Sequence, residues 1–326
     1  MIRFATIGTS KITTNFLEAA VHAAEFKLEA VYSRDKEHAA AFGKQYGAER
    51  FYDSLEELAA DPAIDAVYIA SPNFLHSSQA ILLMKAGKHV LCEKSIASNA
   101  AQAEEMFRIA EENHVVLLEA MRSVFVPGME SIKSNLSKLG TIRKATINFC
   151  QYSSRYDSFL QGQDHNIFRR ECSAGALMDI GVYCVHALLH LFGVPAQVTG
   201  YSDMLRGEID GAGTILAKYP DMIAEVQYSK ITNSRVPSEI QGEKGVMLIP
   251  TINRPGEVKI IYRNGEQELL SKELPKYDMR YELEYFIRAI QGKEELQSHK
   301  ERSLAALKLM DTIRSQCGIV FPADEM

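Results

Sequence analysis

Cysteine is scarce in this 326-residue chain, and its spacing argues against two kinds of site. The five cysteines are Cys92, Cys150, Cys172, Cys184 and Cys317. Their number is odd, they lie far apart, and no two form a Cys-x-x-Cys pair. A disulfide framework or a cysteine-rich zinc site is therefore not expected. We predict reduced, mostly buried thiols.

The chain also lacks an excess of positive charge and a long apolar run. Asp and Glu number 42 against 36 Lys and Arg, the net charge is -6, and basic residues are scattered. Neither nucleic acid nor an anionic membrane is expected as a partner. No apolar run approaches a transmembrane length, and the N-terminus has a strand pattern instead of a charged leader. We predict a soluble protein located in the cytoplasm.

What is present is a globular composition, 46% hydrophobic and 24% charged, in a chain long enough for two domains. The first 120 residues alternate apolar strand patterns with amphipathic helix patterns, which predicts parallel β-α-β units. The predicted strands are Ile2–Ile7, Leu28–Ser33, Ala66–Ala70, His89–Cys92 and Val115–Ala120. The predicted helices are Asn15–Ala24, Lys36–Tyr46, Leu75–Ala86 and Ala100–Glu112, with a further short helix capped by Ser54.

After residue 121 the pattern changes to strands joined by short turns. A helix is predicted from about Gly175 to Phe192, and consecutive strands from Gln197 to Ser271, with Asn264-Gly265 as a hairpin turn. Two amphipathic helices, near Arg280–Ile290 and Lys300–Cys317, follow. The predicted fold is an α/β Rossmann-type doubly wound parallel sheet in residues 1–121. Residues 122–326 are predicted to form an α+β domain with a large, mostly antiparallel open sheet.

The first strand ends in a modified dinucleotide fingerprint. Gly8 keeps the tight turn of G-x-G-x-x-G, whereas Ser10 and Thr13 replace the second and third glycines. Amides at the start of the following helix remain available to an anion. Taken alone, this turn is equally typical of an ordinary β-α connection. The residues predicted to hold the cofactor here are Gly8, Thr9, Ser10, Lys11 and Ile12.

The second strand ends in a pair that favours NADP(H). Many NAD-specific proteins place Asp or Glu there to bind the ribose 2′-hydroxyl, but this chain has Ser33 and Arg34. A hydroxyl and a guanidinium suit a 2′-phosphate. The alternative is a solvent-facing Arg34 paired with Asp35 or Glu37. We predict NADP as cofactor, with NAD possible.

The predicted helix Gly175–Phe192 carries polar residues at helical spacing among apolar ones. Asp179, Tyr183, His186 and His190 fall at i, i+4, i+7 and i+11, so a regular helix would align them on one face. Such a stripe needs partners or a wet cleft. His186 and His190 have the spacing of a metal pair, but Ala187 stands where a zinc protease has its glutamate. No metal is predicted.

Several motifs together resemble the Gfo/Idh/MocA oxidoreductases. A strand followed by Pro72-Asn73 and His76, then "GKHVLCEKS", is similar to that family's N-terminal half, whose E-K-P tripeptide is here Glu93-Lys94-Ser95. The stretch "AGALMDIGVYCVHALLHLFG" resembles the family's catalytic helix. The resemblance covers nearly the whole chain, and Glu119-Ala120 is most similar to the dimeric dihydrodiol dehydrogenase-like branch.

The resemblance implies roles for individual residues. Lys94, at the carboxyl end of a parallel strand, would stabilise negative charge on a substrate oxygen. In the family the peptide bond between this lysine and the following proline is similar to a cis bond that positions the lysine, but Ser95 replaces the proline here, and a cis bond to serine costs more. Tyr183 occupies the acid/base position and Asp179 orients substrate, so Lys94, Tyr183 and Asp179 are the predicted catalytic residues. An adjacent lysine would lower the pKa of the tyrosine from its ordinary value near 10.

The resemblance implies further contacts with the cofactor and with the substrate. Ser71, Asn73, His76, Glu93 and Lys94 are predicted to contact the cofactor, although Asn73 and His76 would equally cap a helix. Lys94, Arg122, Asp179 and Tyr183 are predicted to bind substrate, with an ordinary salt bridge as the alternative for Arg122. The irregular segment contributes weaker candidates, which are Tyr156, Asp164, His165 and Arg169.

The implied activity is hydride transfer between NADP(H) and a carbinol or carbonyl of a small molecule: a sugar, polyol, inositol or dihydrodiol. A homodimer through the C-terminal sheet is implied as well. Two other functions stay open at this point. A non-catalytic dinucleotide-binding sensor would fit the lost glycines, and a metal-dependent lyase or hydrolase would use His186 and His190.

Overall fold

The computed structural model describes residues 1–271 and 276–325, which divide into two compact units. The first unit comprises Met1–Ala120 and Tyr277–Leu304, and the second comprises Met121–Lys276 and the chain from Ala305 onward. The sequence predicted two consecutive domains, 1–121 and 122–326. The compact units differ from that prediction because the segment Tyr277–Leu304 packs with the first unit.

Fourteen strands and ten α-helices are formed by the described residues. The strands are β1 (Ile2–Ile7), β2 (Phe26–Tyr32), β3 (Arg50–Tyr52), β4 (Ala66–Ile69), β5 (His89–Glu93), β6 (Leu117–Ala120), β7 (Ile142–Cys150), β8 (Gln197–Leu205), β9 (Ile209–Lys218), β10 (Ile223–Ser229), β11 (Ser238–Gly242), β12 (Gly245–Ile249), β13 (Lys259–Tyr262) and β14 (Gln267–Leu269). The helices are α1 (Lys11–Ala20), α2 (Lys36–Gly43), α3 (Leu55–Ala60), α4 (Asn73–Lys85), α5 (Ala100–Glu112), α6 (Pro127–Asn135), α7 (Tyr156–Leu160), α8 (Val182–Phe192), α9 (Met279–Ile290) and α10 (Gln297–Cys317).

The first unit contains a six-stranded parallel sheet in the order β3-β2-β1-β4-β5-β6. This is the strand order of a doubly wound dinucleotide-binding sheet, so the predicted fold class is confirmed for this unit. Strand β4 is a continuous apolar run with all four residues buried, which is typical of a parallel sheet. Phe16 of α1 stacks on Tyr68 of β4 with ring centroids 3.7 Å apart. The sequence analysis missed β3, which is only three residues long and begins at the exposed Arg50.

Helix α9 completes the apolar core of the first unit. The Phe286 ring lies 6.0 Å from the Phe4 ring, and Gln291 donates to Glu25. Arg302 and Ser303, on the first turns of α10, also belong to this unit. The unit is therefore built from two separate parts of the chain.

The second unit contains an eight-stranded sheet in the order β14-β13-β12-β11-β7-β10-β9-β8. All its neighbouring strands run antiparallel except the parallel pair β7 and β10. Asn264 and Gly265 form the turn between β13 and β14, as predicted, and Gly265 has φ of 87°. Helix α8 covers one face of the sheet through β7 and β10. The predicted mostly antiparallel open sheet is confirmed.

The expectation that no apolar run approaches a transmembrane length is corrected. By length and composition the stretch Arg170–Phe192 qualifies as a membrane span, but 94% of its apolar window is buried inside the protein. In the structure this stretch contains a π-helical turn, Leu177–Gly181, which leads directly into α8. The stretch Arg170–Phe192 is therefore a buried part of the second unit.

Candidate active site

The turn after β1 has the geometry of a phosphate-binding loop. Gly8 has φ of 101°, and a Cβ atom at this position would lie 2.8 Å from the Ala70 carbonyl oxygen. Only glycine fits such a turn. Within the described residues the Ser10 side chain, at the N-cap of α1, makes no capping hydrogen bond, and the first turn carries no acidic residue. Helix α1 therefore presents its positive end to the space an anion would occupy.

Thr9 connects this turn to the next part of the candidate cofactor site. Its hydroxyl lies 2.9 Å from His38 Nε2, on the first turns of α2. Lys11 is exposed and Ile12 is half-buried at the start of α1, and Thr13 is completely buried. The β-branched residue in the third glycine position is thus accommodated in the interior of the unit.

Two charged residues after β2 have different roles: Asp35 caps a helix, and Arg34 is exposed. The Asp35 carboxylate accepts from the backbone N–H groups of Glu37 and His38, so it caps α2. Arg34 is exposed, and within residues 1–271 and 276–325 its guanidinium forms no ion pair. The alternative of an Arg34 pair with Asp35 or Glu37 is therefore not what the structure has. Arg34 is thus an exposed cation directly after Ser33, at the end of β2.

Lys94 directly follows β5, at the carboxyl end of the parallel sheet. Its side chain is half-buried, whereas the residues on either side of it are buried. The Lys94–Ser95 peptide bond is cis, although serine replaces the proline of the family motif. The backbone amide of Lys94 donates to the Glu93 carboxylate at 3.3 Å.

His76 holds the backbone beside Lys94 from within the unit. It is completely buried, with Nδ1 2.9 Å from the Ser95 carbonyl oxygen and Nε2 2.8 Å from the Ser71 carbonyl oxygen. Burial lowers the pKa of the imidazole below its ordinary value, although both carbonyls act in the opposite direction. Both ring nitrogens of His76 therefore face backbone oxygens near the ends of β4 and β5, and its predicted cofactor contact stays a prediction.

Glu119, at the end of β6, supports the same loop. Its buried carboxylate accepts from the Ile96 backbone N–H at 3.0 Å and from the Ser303 hydroxyl at 2.5 Å. Arg302 lies beside it, and burial lowers the pKa of this guanidinium to about 10 even though Glu119 acts to raise it. The loop that carries Lys94 is thus fixed by side chains from α4, β6 and α10.

The remaining predicted cofactor residues are Glu93, Ser71 and Asn73. Glu93 is buried and accepts from the Tyr68 hydroxyl at 2.6 Å. Ser71 donates through its hydroxyl to Gln79 at 2.7 Å, and Asn73 begins α4. Glu93 and Ser71 therefore each have a hydrogen-bond partner within the protein. A cofactor would contact the polar atoms of these residues that are not used in those two bonds.

Asp179 lies in the π-helical turn of the second unit. Turns of this kind occur often at functional sites. Its carboxylate is 38% exposed and lies 2.5 Å from Nζ of Lys230, a side chain that is only 2% exposed. The start of the π turn is fixed by Asp210, whose carboxylate accepts from the Leu177 backbone N–H at 2.6 Å. Burial raises the pKa of Asp210 to about 6.

Tyr183 is a buried phenol on the first turn of α8. The Arg122 guanidinium lies over its ring, 5.7 Å from the centroid, and the edge of the Phe149 ring approaches it at 5.7 Å. Arg122, Asp179 and Tyr183 therefore belong to one region of the second unit. A nearby cation favours the ionised form of a phenol.

The two histidines of the predicted stripe differ in burial. His186 is buried and His190 is half-buried on α8. Among the residues described here, no group of three or more His, Cys, Asp or Glu side chains could hold a metal ion. The metal-dependent alternative thus has no support in the arrangement.

The irregular segment before the π turn is mostly structural. The Tyr156 ring packs with the rings of Phe159 and Phe168, His165 Nε2 lies 2.6 Å from the Ser158 hydroxyl, and Arg169 pairs with Glu171. Asp164 is exposed. These contacts assign no chemistry to the four residues.

Sequence reasoning missed Lys230 entirely and gave no structural role to Glu119. Lys230 follows an apolar strand as many surface lysines do, so nothing local in the sequence marks it as buried. Glu119 was noticed only as part of a motif. Its position at the carboxyl end of a fully buried strand was the available signal.

The chain matches two family models and many known proteins. Residues 2–121 match "Oxidoreductase family, NAD-binding Rossmann fold" and residues 135–248 match "GFO/IDH/MocA C-terminal domain". Over the full length of both proteins, the chain is 48% identical to scyllo-inositol 2-dehydrogenase (NADP(+)) IolU of Bacillus subtilis (strain 168). It is 27% identical to trans-1,2-dihydrobenzene-1,2-diol dehydrogenase of Mus musculus, with 99% of each chain covered.

Solved structures agree with this fold. The chain resembles KijD10, a 3-ketoreductase from Actinomadura kijaniata, with a TM-score of 0.87 and 24% identity, covering 97% of this chain and 98% of that one. This resemblance shows the fold. Together with the matched families and the full-length relative, it confirms the predictions of family, fold class and enzyme: the chain belongs to the Gfo/Idh/MocA family of nicotinamide-dependent oxidoreductases.

Proposed function

We propose that this protein is an NADP(H)-dependent dehydrogenase or reductase that interconverts a secondary alcohol and a ketone of an inositol, sugar or related polyol. The observation that carries the proposal is the placement of Lys94, half-buried at the carboxyl end of β5 on a loop fixed by His76 and Glu119. The relative that is 48% identical is named for scyllo-inositol and NADP(+), which supports inositols ahead of dihydrodiols as substrates.

Residues of the first unit fit the cofactor. The Gly8 turn and the N-terminus of α1 would hold the diphosphate, and Ser33 with Arg34 would hold a 2′-phosphate. Asp35 has a structural role instead, because its carboxylate accepts from the backbone amides of Glu37 and His38 and caps α2. When bound, the nicotinamide supplies the acceptor or donor for the hydride.

The chain's own residues handle the proton and the developing charge. In the oxidation direction the substrate hydroxyl gives its proton to Tyr183, and the Lys94 ammonium stabilises the negative charge that develops on the oxygen. The Arg122 guanidinium lies over the Tyr183 ring, 5.7 Å from its centroid, and so is close to the group that accepts this proton. Asp179 accepts hydrogen bonds from other substrate hydroxyl groups and so orients the polyol.

A titration followed by a turnover assay tests the proposal. Purified protein is titrated with NADPH and separately with NADH by fluorescence, and NADP-linked oxidation of scyllo-inositol, other inositols, xylose and a trans-dihydrodiol is then measured. Tighter NADPH binding and turnover of at least one inositol or sugar are expected. Binding without turnover of any of these alcohols, or of the matching ketones with NADPH, would favour a dinucleotide-binding sensor. Absence of binding would reject the oxidoreductase function.

The open face of the eight-stranded sheet is the candidate dimer interface. Tyr201, Leu216 and Ile223 are 77%, 52% and 50% exposed, and the strand register places them on one face of β8, β9 and β10. Adjacent apolar side chains at the surface are typical of an interaction site. The proposed partner is a second copy of the chain. Light scattering should give twice the chain mass, and Leu216→Glu should shift it toward the monomer mass, whereas a monomeric wild type would reject the dimer.

Cytoplasmic location remains a prediction. It rests on the composition of the chain. Cell fractionation with an antibody against the protein would test it.

A further inference from the structure

Lys230 is a buried cation that the activity proposed above does not yet use. It follows β10 directly, and its backbone is fixed on both sides: its N–H donates to the Gly211 carbonyl at 2.8 Å, and its own carbonyl accepts from the Ser153 N–H at 2.8 Å. The side chain thus starts from a rigid point on the sheet. Only 2% of it is exposed.

The contacts of the ammonium group are with one carboxylate, one aromatic ring and a more distant second carboxylate. Nζ lies 2.5 Å from Asp179 Oδ2 and 5.2 Å from the centre of the Phe168 ring, and the charge of Asp210 acts on it at longer range. A buried ammonium is costly, and an apolar side chain of similar volume is often as stable or more so. Stability alone therefore does not account for a lysine at this position.

The other half of the pair faces outward. The Asp179 carboxylate is 38% exposed, whereas Lys230 is buried beneath it. The lysine therefore acts on the carboxylate from the inside, and the carboxylate remains the member of the pair that a ligand can reach. This is the arrangement expected of a supporting residue that orients a functional one.

The segment that carries Asp179 needs such support. It is π-helical over Leu177–Gly181 and begins after Gly175, where φ is 103° and a Cβ atom would lie 2.0 Å from Asp210 Oδ1. Asp210 fixes the backbone at the beginning of the turn, but it does not fix the direction of the Asp179 side chain. Lys230 is the described residue that binds this carboxylate from the sheet.

We propose that Lys230 is a positioning residue that holds the Asp179 carboxylate correctly directed for a polyhydroxylated substrate. The inference rests on the proposed function, in which Asp179 orients the polyol. It assigns Lys230 no contact with the reacting atoms.

Kinetics of Lys230→Met, Asp179→Asn and the double variant test the proposal, with Lys133→Met, an exposed lysine of α6, as the matched control. We expect Lys230→Met to lower kcat/KM for the alcohol about 10²-fold, mainly through KM, because small misplacements of a positioning group have effects of this size. Fluorescence affinity for NADPH should stay within twofold of wild type. The double variant should be no slower than Asp179→Asn, and Lys230→Arg should recover part of the loss.

Two results would overturn the positioning role. One is kinetics of Lys230→Met equal to those of Lys133→Met. The other is a double variant whose loss is the product of the two single losses, since this would mean that the residues act independently.

Crystal structures of wild type and Lys230→Met separate this inference from the proposed function. The Asp179 carboxylate should leave its wild-type position in the variant, whether or not any tested alcohol is turned over. An unchanged Asp179 would reject the positioning role in an active or an inactive protein. Wild-type inactivity toward every alcohol and ketone would reject the proposed function alone.

Discussion

The imidazole of His76 joins the ends of two neighbouring parallel strands through their backbone oxygens. One ring nitrogen lies 2.9 Å from the Ser95 carbonyl and the other 2.8 Å from the Ser71 carbonyl. A neutral imidazole has one N–H and donates to only one of them. Because Ser95 follows Lys94 directly, the orientation of the candidate catalytic lysine depends on a histidine that faces no solvent.

Replacement of His76 by glutamine should therefore reduce turnover. We expect kcat to fall about 10²-fold, because the loop of Lys94 loses the contact between the His76 ring and the Ser95 carbonyl oxygen. His89→Gln is the matched control, since His89 also has a lowered pKa from burial and accepts from the Val116 N–H, but it lies at the opposite end of β5. Equal kcat values for the two variants would contradict the role of His76.

The same residue should make stability sensitive to acid. The pKa of His76 in the folded protein lies below its ordinary value, which is about 6.5 in an unfolded chain. Between these two pKa values the unfolded state binds more protons, so the free energy of unfolding falls as pH falls below about 6.5. Urea midpoints at pH 8 and pH 5 should differ more for wild type than for His76→Gln. An identical pH dependence of the two proteins would show that His76 does not titrate in this way.

Tyr183→Phe tests the proton-transfer group. The variant keeps the ring that packs against Phe149 and Arg122 but lacks the hydroxyl. We expect kcat to fall about 10²- to 10⁴-fold, the usual contribution of a general acid or base. NADPH affinity by fluorescence should be nearly unchanged. Tyr262→Phe, on the β13–β14 hairpin, is the control, and full activity of Tyr183→Phe would remove this residue from the mechanism.

Arg34→Ala tests cofactor preference. Loss of a charge-assisted hydrogen bond costs about 2 kcal/mol, so NADPH affinity should weaken roughly thirty-fold while NADH affinity stays the same. Lys36→Ala removes a neighbouring exposed cation and controls for a general effect of charge. A parallel loss of both cofactors in Arg34→Ala would mean that Arg34 does not read the 2′-phosphate.

Arg314→Met tests the C-terminal packing of the second unit. The buried guanidinium bonds Asp324 and Asp311 at 2.6 Å each and lies 4.3 Å from the centre of the Phe321 ring. Removing it leaves two carboxylates without their cation, and we expect the free energy of unfolding to fall by about 3 kcal/mol. Arg108→Met, which breaks two exposed ion pairs on α5, should leave the urea midpoint unchanged. The prediction fails if both variants have the same midpoint.

Local patterns were sufficient for most of the architecture. Most of the parallel strands carry mainly apolar residues and several helices are amphipathic, so β1 and α5 were predicted with their observed bounds. The short strand β3 had no such pattern. The π-helical turn was not predicted either, because its i, i+5 hydrogen bonds leave no distinct mark in the order of residues.

The candidate site could be predicted only where strand ends mark it. Gly8, Arg34 and Lys94 each follow a recognisable strand, and ligands bind at the carboxyl ends of such strands. Lys230 and Asp179 are 51 positions apart, and Ser303 reaches Glu119 across 184 positions. Pairings of this kind depend on the tertiary fold. The backbone oxygens that face His76 are likewise common to every residue type, so no sequence pattern could indicate them.

The participation of Tyr277–Leu304 in the first unit has a consequence for biosynthesis. During translation the six parallel strands leave the ribosome long before Phe286 can cover Phe4 or Ser303 can reach Glu119. Until then the nascent unit has an uncovered apolar surface and a carboxylate without its hydroxyl partner. The dinucleotide-binding sheet, though encoded first, therefore reaches its native packing only after nearly the whole polypeptide has been synthesised. A ribosome stalled after Ala120 should hold a chain that proteases cleave readily.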